Sequence, residues 1–349
     1  MADLGLGLKD SSSGIVAIFV ITTIALIGFS NHDAFAVSYD IKDQASCLSL
    51  PSGSPSWDSI GHICTVTNIS LTLNNGDSLA IELGSTLTTN GGTITINSGG
   101  TLSNSGNIQN LAGSASVTTS ASITNSGTIT NSGAINNSGP IYNSGTITNS
   151  HFAHIANSGA ITNTGTISNL GTIFHNPGGT ITNSGIFTNS GSFNNGGTIT
   201  NGGTMTNSGT INNNHIIYNI ASGTINNSGT IYNPGTFYNF GTIENAGTII
   251  NHAGVIIDNN PGGTINNSGI ITNSGIINNN LGVISNSGTI NEGCGSSITG
   301  NTIQGTAPIN TCTSIPEFPF SYSMIIIFVA VAVVYLSIRQ KMMPNFKRV

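Results

Sequence analysis

The sequence predicts an all-β protein, a β-solenoid (β-helix) built from six-residue repeats. Three observations support this prediction: a glycine recurs every six residues, one large apolar residue follows it at a fixed place, and Thr or Asn flank that residue. The consecutive copies GTITNS (127–132) and GAINNS (133–138) show the unit. A short, fixed period over most of a chain is typical of solenoids.

The apolar position of the repeat predicts a ladder of core residues. A period of six does not match the 3.6 residues of an α-helical turn, whereas Thr-Ile-Thr segments are β-branched and favour strands. Side chains alternate along a strand, so the apolar residue and the Asn two positions later point to the same side. The expected core ladder includes Ile129, Ile135, Ile141, Ile147, Ile161, Ile167, Ile199, Ile231, Ile243 and Ile271.

Each hexad is expected to form a short strand followed by an Asn-Ser-Gly corner. Burying one Ile per hexad does not offset the entropy of ordering six residues, so a single coil would not fold. Stacked coils gain backbone hydrogen bonds and ladders of identical inward asparagines, so folding is expected to be collective. Disorder is the alternative for a chain so rich in Gly, Ser, Asn and Thr, but the constant register of the apolar position argues against it.

The number of hexads in one coil is not fixed by the period. Three hexads give a triangular coil, and two give a flat one. Some repeats carry two extra residues, as between Ile147 and Ile155, and these insertions do not fall in one register of three. We favour three hexads because hexapeptide solenoids commonly close in that way, and two hexads remain the alternative.

Two pairs of cysteines bracket the repeats. Cys47 and Cys64 precede them, and Cys294 and Cys312 follow them. An even number of cysteines in an exported chain suggests disulfides. Pairing the neighbours closes two loops of similar length, each worth about 3 kcal/mol. A zinc site is the competing interpretation, but it lacks close Cys-x-x-Cys spacing, and we expect neither a metal nor another cofactor.

The N-terminus has the features of an export signal. Lys9 precedes the apolar run 14–29, and Ala34-Phe35-Ala36 has the small-x-small form of a cleavage site. A retained N-terminal anchor is the alternative, but the apolar run is short for a membrane-spanning helix. We therefore expect cleavage after Ala36.

The C-terminus has the features of a membrane anchor. The apolar run 321–338 fits one bilayer crossing, and the basic tail 339–349 behind it places the C-terminus in the cytoplasm. Export followed by this stop signal predicts a single-pass protein of the cell surface. Its N-terminus and repeats would lie outside.

The segment before this apolar run carries a short motif, Pro316-Glu317-Phe318-Pro319. Together with the apolar run and the basic end, it resembles the PEF-type C-terminal sorting signals of archaeal surface proteins. The resemblance implies that a membrane sortase-like enzyme cuts near the motif and attaches a lipid. A plain retained anchor is the alternative. Either way the membrane is an expected partner, through the span or through the lipid.

These features predict a linear domain organisation. Trp57 and the alternating residues around the turn 74–77 indicate an N-terminal cap, which would protect the open end of the solenoid. The expected segments are a signal peptide (1–36), an N-terminal cap with the first strands (37–86), the repeat solenoid (87–292), a C-terminal cap (293–314), the motif and linker (315–320), a transmembrane helix (321–338) and the cytoplasmic tail (339–349).

The distribution of charge argues against two classes of function. No Asp, Glu, Lys or Arg lies between Glu82 and Glu244, and no Lys or Arg lies between Asp43 and Ile338. Polysaccharide lyases and hydrolases need clustered carboxylates or a basic residue for proton transfer, so we do not expect an enzyme. Phosphate contacts need many cations, so nucleic acid is not an expected partner.

Histidines and sequons are the remaining candidates for chemistry. His151-x-x-His154 would need a third ligand to hold a metal. His175, His215 and His252 also lie in or near the longer repeats, and we expect all five to be ordinary polar loop residues. Candidate glycosylation sites are Asn68, Asn136, Asn226 and Asn266. Asn68 is the best candidate because it precedes the regular repeats, and the others are expected at the start of corners.

Two functions remain, from different classes. The favoured one is a structural or adhesin-like stalk whose repeated polar faces make weak contacts with glycans, surfaces or other surface proteins. The alternative is an ice- or crystal-surface-binding solenoid, because Thr-x-Thr rows resemble those of insect antifreeze proteins. Copies such as Thr128-Ile-Thr130 and Thr198-Ile-Thr200 are not expected in one register, which a lattice-matching face would require.

Overall fold

The computed structural model describes residues 36–111, 115–312, 331 and 333–336. Most of the predicted signal peptide, including Ala34, lies outside the described residues. So do the Pro316–Pro319 motif, most of the apolar run 321–338 and the tail 339–349. Residues 331 and 333–336 are helical. No helix within the described part of the chain has the length and apolar character that a membrane crossing requires.

The chain forms a parallel β-solenoid with three short strands in each coil. Ile129 pairs with Ile147, which is 18 residues or three hexads further along, and Ile147 pairs with Ile167. The second offset is two residues longer because the corner between them holds two extra residues. The triangular coil of three hexads is therefore confirmed, and the flat coil of two is excluded.

The strands stack into three faces, which we call A, B and C in chain order. Face A is a sheet of 13 strands. Its strands are Ser38–Ile41, Ser78–Ile81, Thr101–Asn104, Ser122–Asn125, Ile141–Asn143, Ala160–Asn163, Thr180–Asn183, Thr198–Asn201, Ile216–Asn219, Thr236–Asn239, Ile256–Asn259, Ile276–Asn279 and Ser297–Gly300.

Faces B and C share their first two strands, Ile63–Leu73 and Thr86–Ile96, which bend around the corner between them. Face B continues with Asn107–Asn110, Thr128–Asn131, Thr146–Asn149, Thr166–Asn169, Ile186–Asn189, Thr204–Asn207, Thr224–Asn227, Thr242–Asn245, Thr264–Asn267, Val283–Asn286 and Gln304–Gly305. Face C continues with Ser116–Thr119, Ala134–Asn137, His154–Asn157, Thr172–His175, Ser192–Asn195, Thr210–Asn213, Thr230–Asn233, Thr248–Asn251, Ile270–Asn273, Thr289–Glu292 and Ile309–Asn310.

Both predicted disulfides are present, one near each end of the solenoid. Cys47 and Cys64 join the short helix Gln44–Leu48 to the first strand of face B, with an S–S distance of 2.07 Å. The strand Ser54–Asp58 pairs antiparallel with that same strand and covers its outer edge. Cys294 and Cys312 bracket the last coil.

The interior follows the predicted alternation. All the isoleucines of the expected core ladder are at most 6% exposed. In a regular strand the second and fourth side chains point inward, and the first and third point outward. The insertions lie at corners of all three kinds, for example at 150–153 between faces B and C, at 176–179 between C and A, and at 220–223 between A and B. The corners absorb the extra residues, so the strands keep their register.

Candidate functional site

Inward asparagines form ladders behind the three faces, unbroken on faces A and B and interrupted once on face C. On face A the amide nitrogen of Asn183 donates to the amide oxygen of Asn201 at 2.8 Å, and Asn201 donates to Asn219 at 2.9 Å. The same nitrogen of Asn201 also donates to the backbone carbonyl of Thr224. This bond holds the next corner in place, so each ladder fastens both the strands and the corners.

Every ladder runs in one direction, which leaves the oxygen of its first member without an amide donor. The buried Oδ1 atoms of Asn104 and Asn137 have no hydrogen-bond partner among the described residues. On face B the first amide oxygen does have a donor, because the hydroxyl of Thr89 donates to Oδ1 of Asn110 at 3.0 Å. On face C the equivalent hydroxyl, on Thr119, donates to the carbonyl of Ala121 instead.

His175 occupies an asparagine position in the ladder of face C, which the sequence analysis did not anticipate. It is only 1% exposed, and its Nδ1 lies 3.0 Å from Nδ2 of Asn157. Since that amide nitrogen donates, Nδ1 accepts, and Nε2 carries the proton toward the carbonyl of Thr198 at 3.3 Å. Burial lowers the pKa of His175. With no donor left toward the next coil, Oδ1 of Asn195 has no partner among the described residues.

The outward positions of face B form a regular array of hydroxyl groups over five consecutive strands, which we call the Thr array. Only Ile186 lacks a hydroxyl, and no hydroxyl of the array hydrogen-bonds to another described residue. Its members are Thr128, Thr130, Thr146, Thr148, Thr166, Ser168, Ile186, Thr188, Thr204 and Thr206.

A comparison of identical Thr-Ile-Thr copies along the sequence does not reveal the Thr array, because those copies are spread over the three faces. Thr128-Ile-Thr130 lies on face B, whereas Thr198-Ile-Thr200 lies on face A. Face B also collects Thr166-Ile-Ser168 and Thr204-Met-Thr206, which that comparison passed over.

A polar groove runs along face B toward its corner with face C. Two adjoining hollows of about 370 and 240 Å³ share Glu244 and Ser268. The outward side chains of its wall include the amides of Asn226 and Asn266 and the hydroxyl of Ser285, and Glu244 is its one charged residue. Oε1 of Glu244 accepts a hydrogen bond from Asn266 at 2.8 Å. Such a surface offers donors and acceptors to a polyhydroxylated ligand.

The solenoid interior offers much less space. A cavity of about 20 Å³ lies among the core isoleucines of the earlier coils. That volume is close to the space one water molecule needs, and an apolar lining gives water no partners. A ligand would therefore contact the outer faces of the solenoid.

The candidate glycosylation sites lie elsewhere on the coil than expected. Asn136, Asn226 and Asn266 are outward residues in the middle of strands and half-buried, not the first residues of corners. Asn68 is exposed in the bend of the long strand Ile63–Leu73, with φ of 53°.

The histidines do not assemble a metal site in the described structure. His151 and His154 are exposed, as are His215 and His252, whereas His175 points inward. Among residues 36–111 and 115–312, no group of three or more His, Cys, Asp or Glu side chains could hold a metal ion.

Comparisons with known proteins found no relative of this chain. No protein-family model, no curated protein and no solved structure matches the chain.

Proposed function

We propose that this chain is a non-enzymatic structural protein of the cell surface, a β-solenoid stalk that makes weak, multivalent contacts with glycans, surfaces or like molecules. The fold fits a structural repeat protein. The observation that carries the proposal is the repetition of uncharged hydroxyl and amide groups once per coil on flat outer faces, as in the Thr array. Repetition converts contacts that are weak singly into a strong attachment, because each further contact is intramolecular.

The polar groove around Glu244 is the part of the surface that best suits a glycan. Coils repeat about every 4.8 Å, which is close to the length of one sugar unit in an extended polysaccharide. Outward side chains from three successive coils, Asn226, Glu244 and Asn266, would therefore meet successive sugars. Each contact would be weak, since the groove is open and its groups are well hydrated.

Retention of beads on neutral polysaccharide tests this function. Beads coated with the full chain at high and low density are passed over immobilised cellulose, mannan and dextran. We expect retention on at least one polysaccharide, rising steeply with coating density, and a severalfold loss with Asn266→Ala. Asn212→Ala is the matched control, since Asn212 is an outward asparagine on face C that also makes one bond between coils. No retention at any density, or equal loss with both variants, contradicts the proposal.

The proposed surface location rests on the sequence features of the two ends: the signal-like 1–36, the resemblance of 315–320 to a sorting signal, and the apolar run 321–338. Protease treatment of intact cells tests it. Trypsin has no Lys or Arg to cut between Asp43 and Ile338, so a nonspecific protease is used beside it. Removal of the repeats from intact cells is expected. Protection until the cells are lysed would contradict a surface location.

A second function, binding to ice or another crystal surface, is favoured by the Thr array alone. Its two hydroxyl rows are about 6.6 Å apart, and its rungs are about 4.8 Å apart. A flat array of this kind can hold water or solute groups in a fixed lattice. Growth-rate measurements on single ice crystals test it: the full chain would slow growth, and Thr148→Tyr would abolish the effect while Thr182→Tyr on face A would not.

A further inference from the structure

Face A carries an apolar strip that the proposed stalk function does not use. The strip extends over four consecutive strands, from Ile216–Asn219 to Ile276–Asn279, and onto the adjoining corner with face B. Its members are apolar or aromatic side chains that are exposed or half-exposed: Ile216, Tyr218, Ile220, Tyr238, Phe240, Ile256, Ile276 and Leu281.

The strip is built by direct stacking between coils. Tyr218 and Tyr238 stack with ring centroids 4.9 Å apart and planes 8° from parallel. Ile256 and Ile276 are register neighbours in the next two coils, and each is 39% exposed. Face C has a smaller group of this kind, and face B has only isolated residues such as Ile186. A contiguous exposed apolar surface on an otherwise polar protein marks an interaction site.

We propose that this strip is the centre of an interface with a second copy of the chain, formed by pairing face A with face A. A lipid surface is a poorer occupant, because membrane-binding surfaces use Lys and Arg beside their apolar groups, and no Lys or Arg lies between Asp43 and Ile338. A second copy has the same rise per coil, so its rows of side chains stay in step along the whole face. The only charged side chain on these four strands is Asp258, and its carboxylate already accepts a hydrogen bond from Asn278 at 3.0 Å.

The area of face A indicates how the two copies lie. Its 13 strands, each about 13 Å long and 4.8 Å from the next, make a face of roughly 800 Å², which is what each partner buries in a stable interface. A side-by-side pair with parallel solenoid axes uses all of that area and also brings the two strips together. An antiparallel pair centred on the strip would overlap over only the last few coils, because the strip lies near the C-terminal end.

A two-fold axis parallel to the solenoids fixes which rows meet. The first outward row of one copy faces the third outward row of the other. The row of Ile216 and Ile256 would then pack against the row of Tyr218 and Tyr238. This arrangement also keeps the Asp258 carboxylates of the two copies from facing each other, as expected for a self-complementary interface.

Disulfide trapping between rows tests the pairing without changing the strip. Thr198→Cys and Thr200→Cys are made as separate full-length proteins, mixed in equal amounts and oxidised, and the cross-linked dimer is measured on a non-reducing gel. Both positions lie on face A, one coil before the strip. Thr204→Cys mixed with Thr206→Cys is the matched control on face B. The four native cysteines are already paired.

We expect at least tenfold more mixed dimer from the face A variants than from the face B variants. Adding Ile216→Thr, Ile256→Thr and Ile276→Thr should reduce the face A cross-link to the face B level, whereas adding Ile186→Thr should leave it unchanged. Thermal unfolding of each variant verifies that it is folded. Equal cross-linking on both faces, or a face A cross-link that survives the triple substitution, would overturn the proposal. The pairing does not depend on the surface location, because the proteins are purified.

Discussion

The amide nitrogen of Asn183 lies 2.8 Å from the amide oxygen of Asn201, one coil away, and both side chains are fully buried. The ladder to which they belong continues in the same sense along face A, so each amide donates to the next coil and accepts from the previous one. Burying a polar group without a hydrogen bond destabilises the fold, and here the hydrogen-bond partner of each amide lies in the neighbouring coil. The ladder therefore couples the coils into one cooperative unit.

Breaking the ladder in its middle should destabilise the whole solenoid. Asn201→Ala removes the bonds to Asn183 and Asn219, so that the buried amide oxygen of Asn219 and the carbonyl of Thr224 each lose a donor. We expect the free energy of unfolding to fall by about 2–4 kcal/mol, since each unsatisfied group costs about 1–3 kcal/mol. Chemical denaturation followed by circular dichroism measures this. Asn226→Ala, an outward asparagine, should change the value by less than about 0.5 kcal/mol, and equal effects would contradict the ladder's role.

The start of a ladder should be sensitive to its hydroxyl cap. Thr89→Val keeps the shape of the side chain but removes the donor to Oδ1 of Asn110. We expect a loss of about 1–3 kcal/mol, because that buried oxygen would be left as unpartnered as those of Asn104 and Asn137. Thr130→Val, on the outward face of the same sheet, is the control. Chemical denaturation of both variants tests this. An unchanged denaturation midpoint for Thr89→Val would show that the hydrogen bond from Thr89 to Asn110 does not contribute to stability.

Adjacent glycines at one corner should differ sharply in their tolerance of a methyl group. A Cβ atom on Gly203 would lie 2.1 Å from the backbone oxygen of Gly185 in the previous coil, whereas one on Gly202 would first meet the flexible end of Ile220 at 3.0 Å. Gly203→Ala should therefore cost at least about 2 kcal/mol, and Gly202→Ala less than about 1 kcal/mol. The two melting temperatures test this, and equal values would mean that the corners do not stack so closely.

His175 should make the stability of the solenoid depend on pH. Its pKa is lowered by burial in the folded protein and ordinary, about 6.5, in the unfolded chain. As the pH falls below that value the unfolded chain binds the proton first, so the free energy of unfolding decreases until the pH passes the lower folded pKa. Its polar neighbours Asn157, Asn195 and Thr198 do not titrate.

Replacing His175 by Asn should remove this dependence and complete the ladder to Asn195. We expect the His175→Asn protein to lose less stability between pH 7 and pH 5 than the unchanged protein. Urea denaturation at the two pH values measures the difference. The exposed histidines, such as His151 and His252, are common to both proteins and cancel in the comparison. An identical loss in both would show that His175 is not the source.

The hexad pattern was enough to predict the inner side of the solenoid. Ile129 and Asn131 are two positions apart, and strand alternation places both inside whatever the number of hexads per coil. His175 could have been found in the same way, because it stands where the repeat has its inward Asn. The insertion that follows His175 directly instead favours a loop position in the sequence.

The outer side was less predictable, because it depends on which face each hexad reaches. A single corner insertion, such as that at 150–153, changes the spacing in sequence without changing the order of the faces. Rows such as the Thr array or the apolar strip therefore emerge only when the strand pairs are known. The pairing of Cys47 with Cys64 could be predicted without knowing the strand pairs, since both cysteines lie in one short segment before the regular repeats.

The distance between two labels on one row of face B tests the three-strand coil most directly. Thr130 and Ser285 occupy the same outward row, eight coils apart along a chain of register neighbours. With spin labels on Thr130→Cys and Ser285→Cys in the full chain, pulsed electron paramagnetic resonance should give a narrow distribution centred near 38 Å, at about 4.8 Å per coil. A coil of two hexads would place the labels near 57 Å at the same rise per coil. That distance, or a broad distribution without a peak, would contradict the account.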